Sequence, residues 1–209
     1  MHSRRRAMSI LVAAALAAAF GAGAQDRMPP LSPDDLTEPQ ARALAEFVAA
    51  RGQPSGAWSA LLRAPELMTH ARRLGDYLDF ESPLPGYLRE FVILLTAREW
   101  AQNTEWNAHY PLAIEQGFSA EMAQAVAEGR RPEGMVAEET ILYDFCTELQ
   151  RNHSVSDATY QRAVDRFGEQ GVVETVSLMG HYTMLAMISN TSRVPLPAGV
   201  APALTPFPH

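Results

Sequence analysis

The stretch Leu88–Ala113, LREFVILLTAREWAQNTEWNAHYPLA, decides the fold that this sequence predicts. Residues Phe91 to Leu95 are apolar without a break, and a helix that is apolar all round belongs in a core. We therefore expect a helix buried on every side here. A second helix should follow, with Asn103 or Thr104 capping its N-terminus.

Apolar residues recur with helical spacing on both sides of this stretch, and no alternating run is long enough for a sheet. The sequence therefore predicts an all-α protein. The expected helices cover Glu38–Ala50, Ala57–Leu62, Pro65–Asp79, Pro85–Trp100, Glu105–Gln116, Ala120–Glu128, Ala137–Asn152, Asp157–Phe167 and Gly171–Ser189. Their ends are marked by Pro65 and Pro85 in first turns, Ser119 and Ser156 as N-caps, and Gly117 and Gly168 at C-termini.

The two ends of the chain differ from this helical pattern. Residues 1–24 combine three arginines, a short apolar run and an Ala-Gly-Ala site, which is typical of a cleaved signal peptide; an uncleaved signal anchor is the alternative. We expect export to the periplasm or secretion, with no membrane attachment after cleavage. Residues 25–35 and 195–209 are proline-rich arms that could wrap a neighbouring subunit, and residues 36–194 form the helical domain between them.

Composition excludes several classes of chemistry. The net charge is −7, and it becomes −10 without the signal peptide, which removes three of the 17 basic residues and none of the 24 acidic ones. An acidic protein of this kind is a poor nucleic-acid binder. The chain has no lysine, so Schiff-base chemistry and a phosphate-binding loop lysine are excluded. Cys146 is the only cysteine, and its apolar helical context predicts a buried thiol.

Three polar residues on these apolar helices are the candidates for catalysis. Glu105 and His109 are spaced i, i+4 and share a helical face, which we expect to belong to a largely buried helix. Glu105 should lie in the first turn, where the helix dipole favours its ionised form, and it could orient His109 or act as a base. Glu90 lies in the apolar run and needs a partner or a raised pKa. A dipole-complementing surface pair is the plain alternative for Glu105 and His109.

The segment PLPGYLREFVILLTAREWAQNTEWNAHYPLAIEQG, residues 83–117, resembles the carboxymuconolactone decarboxylase family, which includes alkylhydroperoxidase D. A looser resemblance extends from about Trp58 to Pro197. It implies an alkylhydroperoxidase D-like helical bundle with a central helical hairpin. It also implies a homotrimer or homohexamer with sites near subunit contacts.

The match separates two branches of that family. The peroxidase branch carries a glutamate, a CxxC pair and a histidine 19 residues after the glutamate. Glu90 and His109 keep that spacing, but Gln102 and Glu105 occupy the two cysteine positions, so a thiol peroxidase cycle is excluded. Arg89, Glu105 and His109 match the decarboxylase branch. The resemblance therefore implies a lyase or isomerase without cofactor or metal, acting on a small carboxylated lactone or keto acid.

Within that interpretation, Glu105, His109 and Glu90 are the predicted catalytic residues. His109 would carry protons, and the two carboxylates would have pKa values pushed apart by each other. The predicted substrate-binding residues are Arg89, Trp106, His181 and Tyr182. For Arg89 a salt bridge to a nearby acid is an equal alternative to a substrate carboxylate, and for His181 a buried core role is the plain alternative.

Two other functions fit the same residues. Glu90, Glu105, His109 and His181 could bind a metal, although the ExxH spacing of metal-binding bundles is absent. The chain could also be an exported oligomer that binds a small ligand without converting it. His153 is explained by capping or by a helix C-terminal dipole, and His70 and His209 have no supporting context. No nucleophile elbow indicates a serine hydrolase.

Overall fold

The computed structural model describes residues 26–205, so the predicted signal peptide lies outside the described residues. Within that range the chain is all-α, as predicted, with eight α-helices, one short 3-10 helix at Pro33–Asp35 and no strand. The α-helices are α1 (Glu38–Arg51), α2 (Ala57–Leu61), α3 (Pro65–Phe80), α4 (Gly86–Glu99), α5 (Asn103–Glu115), α6 (Ala120–Ala127), α7 (Ala137–Asn152) and α8 (Asp157–Ser192). None of the helices in residues 26–205 is both long and apolar enough to cross a membrane.

Helix α4 is the centre of the fold. Its residues from Glu90 to Arg98 are all buried, and the helix packs against α5, α6, α7 and α8. The unbroken apolar run explains this position, because only a site enclosed on every side removes all of those side chains from water. The prediction of an all-round buried helix is confirmed.

Helix α5 follows α4 after a short connection and packs against it, but it begins differently from the prediction. Gln102 is the N-cap, and its side-chain oxygen accepts the Thr104 backbone N–H at 2.6 Å. The Asn103 side chain is engaged elsewhere, because it donates to the Leu204 carbonyl at 3.0 Å and accepts the Leu204 N–H at 2.7 Å. The expected cap at Asn103 or Thr104 is therefore wrong.

Helix α5 is also less buried than its aromatic residues suggested. Only Glu105, Trp106 and Ala113 are buried along its length, whereas Leu112 and Ile114 are exposed. The expectation of a largely buried helix is wrong, since α5 lies on the outside of the bundle. Its inner face still carries Glu105 towards α4.

The other helix boundaries follow the predicted capping chemistry with one difference. Ser119 and Ser156 accept backbone N–H groups as N-caps, as expected. Pro85 lies one position before the first turn of α4, as its N-cap. Gly168 has non-helical backbone angles, φ 70° and ψ 170°, so it separates α8 into two helical segments, and the prediction of one helix on each side of Gly168 is confirmed.

Both described arm segments lie against their own chain. The Arg27 N–H donates to the Ser192 carbonyl at 2.8 Å, which joins the N-terminal arm to the end of α8. In the C-terminal arm, Leu204 is 1% exposed and is held by Asn103. The C-terminal arm therefore supports the start of α5 within the same subunit.

Glu174 joins α3 to α8 through a buried carboxylate that the sequence did not single out. It accepts hydrogen bonds from Tyr77 at 2.7 Å, Ser82 at 2.5 Å and Gln170 at 2.8 Å. Burial alone would raise the pKa of Glu174, but these three donors outweigh burial and hold the pKa below its usual value. The ionised form of Glu174 is therefore the one that stabilises the fold.

Replacing Glu174 by Gln should lower the free energy of unfolding by about 1–2 kcal/mol at neutral pH, because neutral hydrogen bonds are weaker than charged ones. In the parent this contribution is present above the usual glutamate pKa of 4.5 and is lost as the pH falls through the lower folded value. Urea unfolding between pH 3 and 7 measures both effects. The control is Glu169→Gln, an exposed position on the same helix. If the free energy of unfolding of the parent and of Glu174→Gln depended equally on pH, ionised Glu174 would not be the form that stabilises the fold.

Candidate active site

A cavity of about 710 Å³ lies between the C-terminal ends of α1 and α3, helix α2, and the facing sides of α4 and α5. Three predicted catalytic residues, Glu90, Glu105 and His109, line it together with Arg89. Helix α4 supplies Arg89 and Glu90, and α5 supplies Glu105 and His109 one turn apart. The structure thus brings together four of the predicted site residues.

His109 is held by Glu90. The His109 Nδ1 atom lies 2.8 Å from Glu90 Oε2, and both side chains are mostly buried. A carboxylate only accepts hydrogen bonds, so the neutral imidazole carries its proton on Nδ1. The Nε2 atom is then the one that can take up and release a proton. The orienting carboxylate is Glu90, on the neighbouring helix, whereas the sequence suggested Glu105.

The same contact controls the charge of His109. Burial alone would lower the pKa of His109, but the hydrogen bond and charge of Glu90, with smaller contributions from the charges of Glu105 and Asp79, raise the pKa above the usual histidine value. The imidazolium is therefore more populated near neutral pH than in a solvated histidine. His109 is suited to donate a proton as well as to accept one.

Glu105 lies in the first turn of α5, as predicted, and burial acts on the pKa of its carboxyl group. It is 7% exposed, and burial raises its pKa, against the smaller opposing effect of the His109 charge. Burial therefore opposes the ionisation that the helix dipole is expected to favour. The two carboxylates were predicted to push each other's pKa values apart, but Glu90 does not contribute to the raised pKa of Glu105. Within residues 26–205, Glu105 makes no hydrogen bond to another side chain, so its carboxyl group is free to meet a ligand in the cavity.

Arg89 lies at the cavity wall without an acidic partner among the described residues. Its Nη1 donates to the Leu84 carbonyl, and none of the ion pairs in that part of the chain includes it. The salt-bridge alternative is therefore not what residues 26–205 show. The guanidinium retains further donors for a ligand carboxylate.

Several residues that the sequence did not indicate complete the cavity. Trp58 and Phe47 form an aromatic wall, with ring centroids 5.0 Å apart. Arg51 donates to Asp76 at 2.7 Å and to Asp79 at 2.9 Å, and Asp79 faces the cavity. No local spacing could have revealed these residues, since α1 and α3 meet His109 only through tertiary packing.

Trp106 does not line this cavity. It is 4% exposed and stacks on Tyr110, with ring centroids 6.2 Å apart, beside a separate cavity of about 340 Å³. Consecutive residues of a helix point in different directions, so Trp106 lies on a different face of α5 from Glu105. The structure therefore does not bring Trp106 to the predicted substrate site.

His181 and Tyr182 are buried in α8 and do not line the cavity either. The Tyr182 ring packs edge-on against His109 at 4.8 Å between centroids, so it lies behind the site. Burial lowers the pKa of His181 to about 4, which keeps its ring neutral at neutral pH, and its Nδ1 has no hydrogen-bond partner. These two residues contact the site residues or each other, and not the cavity itself.

Two further expectations concern metals and the thiol. In residues 26–205 no group of three or more histidine, cysteine, aspartate or glutamate side chains is arranged to hold a metal ion. Cys146 is buried, as predicted, and burial raises the pKa of its thiol. A protonated, enclosed thiol is not a nucleophile.

Comparison with protein families, with characterised proteins and with solved structures gives no match for this chain. The resemblance to carboxymuconolactone decarboxylases therefore remains a prediction from the sequence.

Replacing Glu90 by Gln should lower the pKa of His109, because the variant loses the carboxylate that stabilises the imidazolium. The titration midpoint of His109 is measured by NMR of ¹⁵N-labelled histidines, and the His109→Gln variant assigns the His109 signal. Glu105→Gln should have the smaller effect, since Glu105 influences His109 through charge alone. An unchanged midpoint in Glu90→Gln, or the reverse order of the two variants, would refute this account of the pair.

Proposed function

We propose that this protein is a cofactor-free acid–base enzyme that acts on a small carboxylated lactone or keto acid, by decarboxylation or isomerisation, as its resemblance to carboxymuconolactone decarboxylases implies. One observation carries the proposal. The carboxyl group of Glu105, which has a raised pKa and no side-chain hydrogen bond, shares a cavity with His109, whose ring Glu90 orients. Neighbouring groups of this kind supply an acid and a base at one site.

In a decarboxylation, the bond to the departing carboxylate breaks and its electron pair remains on the substrate as a carbanion or enolate. In its protonated form, which burial favours, Glu105 can donate a hydrogen bond to the carbonyl oxygen on which this negative charge develops. Protonated His109 then delivers its Nε2 proton to the substrate carbon, and water restores that proton. In an isomerisation, neutral Nε2 removes a proton from one carbon and returns it to another.

Arg89 would bind the substrate through a carboxylate. Its guanidinium lines the cavity and has no acidic partner in the described part of the chain, and a carboxylate matches its paired donors. Trp58 and Phe47 offer an apolar surface for a ring or alkyl portion. In a decarboxylase, the group bound by Arg89 should be a carboxylate that is retained. An ion pair to the departing carboxylate would stabilise a negative charge that this group loses as it becomes carbon dioxide.

The surroundings of the enzyme are part of the proposal. We infer export to the periplasm or secretion from the sequence of residues 1–24, and a homotrimer or homohexamer from the family resemblance. Exposed apolar side chains on α3 and α8 support self-association, with Leu74 44% and Val173 63% exposed. Such side chains gain free energy when a second subunit covers them.

The test uses the chain from Gln25 and a panel of carboxylated γ-lactones and β-keto acids. Carbon dioxide release and proton NMR would follow each reaction. Turnover by the parent should fall roughly a hundredfold or more in His109→Gln and in Glu105→Gln, as expected for the loss of a general acid or base. Glu115→Gln, an exposed position on the same helix, is the matched control and should keep the parent rate.

The outcomes separate the candidate functions. Conversion without carbon dioxide would make the protein an isomerase. Saturable binding of a panel compound without conversion, unchanged in Glu105→Gln, would show a binding protein and refute the enzyme proposal. Equal rates in the parent and both variants would remove Glu105 and His109 from the chemistry.

Arg89→Met should raise KM roughly tenfold or more with a smaller change in kcat, because the variant loses a charged hydrogen bond that is made equally to substrate and transition state. The measurement compares a substrate with its methyl ester at the retained carboxylate. The parent should prefer the acid, and Arg89→Met should lose that preference. The same preference in both proteins would show that Arg89 does not bind the carboxylate.

A further inference from the structure

A series of polar contacts leads from α1 to the ring of His109. Arg51 donates to Asp79 Oδ2 at 2.9 Å, and the Tyr182 hydroxyl donates to Asp79 Oδ1 at 3.2 Å. The Tyr182 ring then packs edge-on against the His109 ring. Four helices, α1, α3, α8 and α5, each contribute one residue to this series.

We propose that Asp79 is a positioning residue for His109 and acts through Tyr182. The proposal rests on the proposed role of His109 as proton carrier. Asp79 is anchored by Arg51, fixes the hydroxyl of Tyr182, and thereby fixes the ring surface against which the imidazole packs. Glu90 holds the Nδ1 atom of His109, and Tyr182 limits the tilt of the same ring.

The environment of Tyr182 suits it to this role. Tyr182 is 3% exposed, and burial together with the charges of Asp79, Glu105 and Glu90 raises its pKa well above the usual tyrosine value. The phenol therefore keeps its proton and remains a hydrogen-bond donor to Asp79. Because its rotation would leave a buried hydroxyl without a partner, the ring is confined to one orientation.

Glu90 on α4, Glu105 on α5 and Asp79 on α3 act on His109 through their charges. The other charged or titratable groups around these residues are Arg51 on α1 and His181 and Tyr182 on α8. Burial keeps His181 and Tyr182 uncharged at neutral pH. Asp79 contributes a negative charge that raises the pKa of His109, so its removal should lower that pKa.

The test measures how firmly the His109 ring is held in the protein without substrate. NMR on ¹⁵N-histidine-labelled protein gives the exchange rate of the His109 Nδ1 proton with water and the titration midpoint of the ring. Asp79→Ala and Tyr182→Phe should each speed this exchange roughly fivefold, since each removes one hydrogen bond of the series. Asp79→Ala should also lower the midpoint.

Asp76→Ala is the matched control. Asp76 also accepts a hydrogen bond from Arg51, at 2.7 Å, but Tyr182 bonds to Asp79 instead. This variant should leave the exchange rate of the His109 proton at the parent value. Faster exchange in Asp76→Ala, equal to that in Asp79→Ala, would show a general loosening of the bundle and overturn the proposal.

The double variant Asp79→Ala/Tyr182→Phe tests whether the two residues act in one series. Its exchange rate should be no faster than that of the faster single variant, whereas additive effects would show independent action and refute the proposal. If Asp79→Ala does not fold, Tyr182→Phe decides alone, because an unchanged exchange rate there contradicts the role of Tyr182. These measurements need no turnover, so they can succeed even if the proposed reaction fails.

Discussion

The contact between Glu90 and His109 is the constraint on which the site depends. Glu90 is a carboxylate in the most buried helix of the fold, and a buried carboxylate without a partner is costly. Its partner comes from α5, so the same contact that satisfies Glu90 fixes how α5 lies against α4. Because Nδ1 is committed to Glu90, the neutral ring has one tautomer and a defined proton-exchanging atom.

The sequence predicted the parts of the fold that depend on local chemistry. The apolar run from Phe91 to Leu95 identified the central helix, and Ser119 and Ser156 identified two helix starts correctly. The prediction failed where a side chain had a distant partner. Asn103 is a good N-cap by residue type, but the C-terminal arm occupies its side chain, so Gln102 caps α5 instead.

The sequence predicted four of the residues that line the cavity, but it did not predict how they bond to each other, and its other three candidates lie outside the cavity. Spacing placed Glu105 and His109 on one face of α5, and that spacing made Glu105 the obvious partner for the histidine. The partner is Glu90, 19 residues away, because α4 and α5 face each other across the cavity. Asp79 and Tyr182 are 103 residues apart and were not expected to meet, since such a contact exists only once α3 and α8 are packed.

The two glutamates show why burial alone does not determine what a carboxyl group can do. Glu90 and Glu105 are 8% and 7% exposed, so water reaches them almost equally. Glu90 has a hydrogen bond to His109, whereas Glu105 has no such bond and its pKa is raised by burial. A carboxyl group that is already bonded holds a neighbour in place, while one without a partner remains available to exchange a proton with a ligand. The different roles proposed for Glu90 and Glu105 therefore follow from their hydrogen-bond partners and not from their exposure.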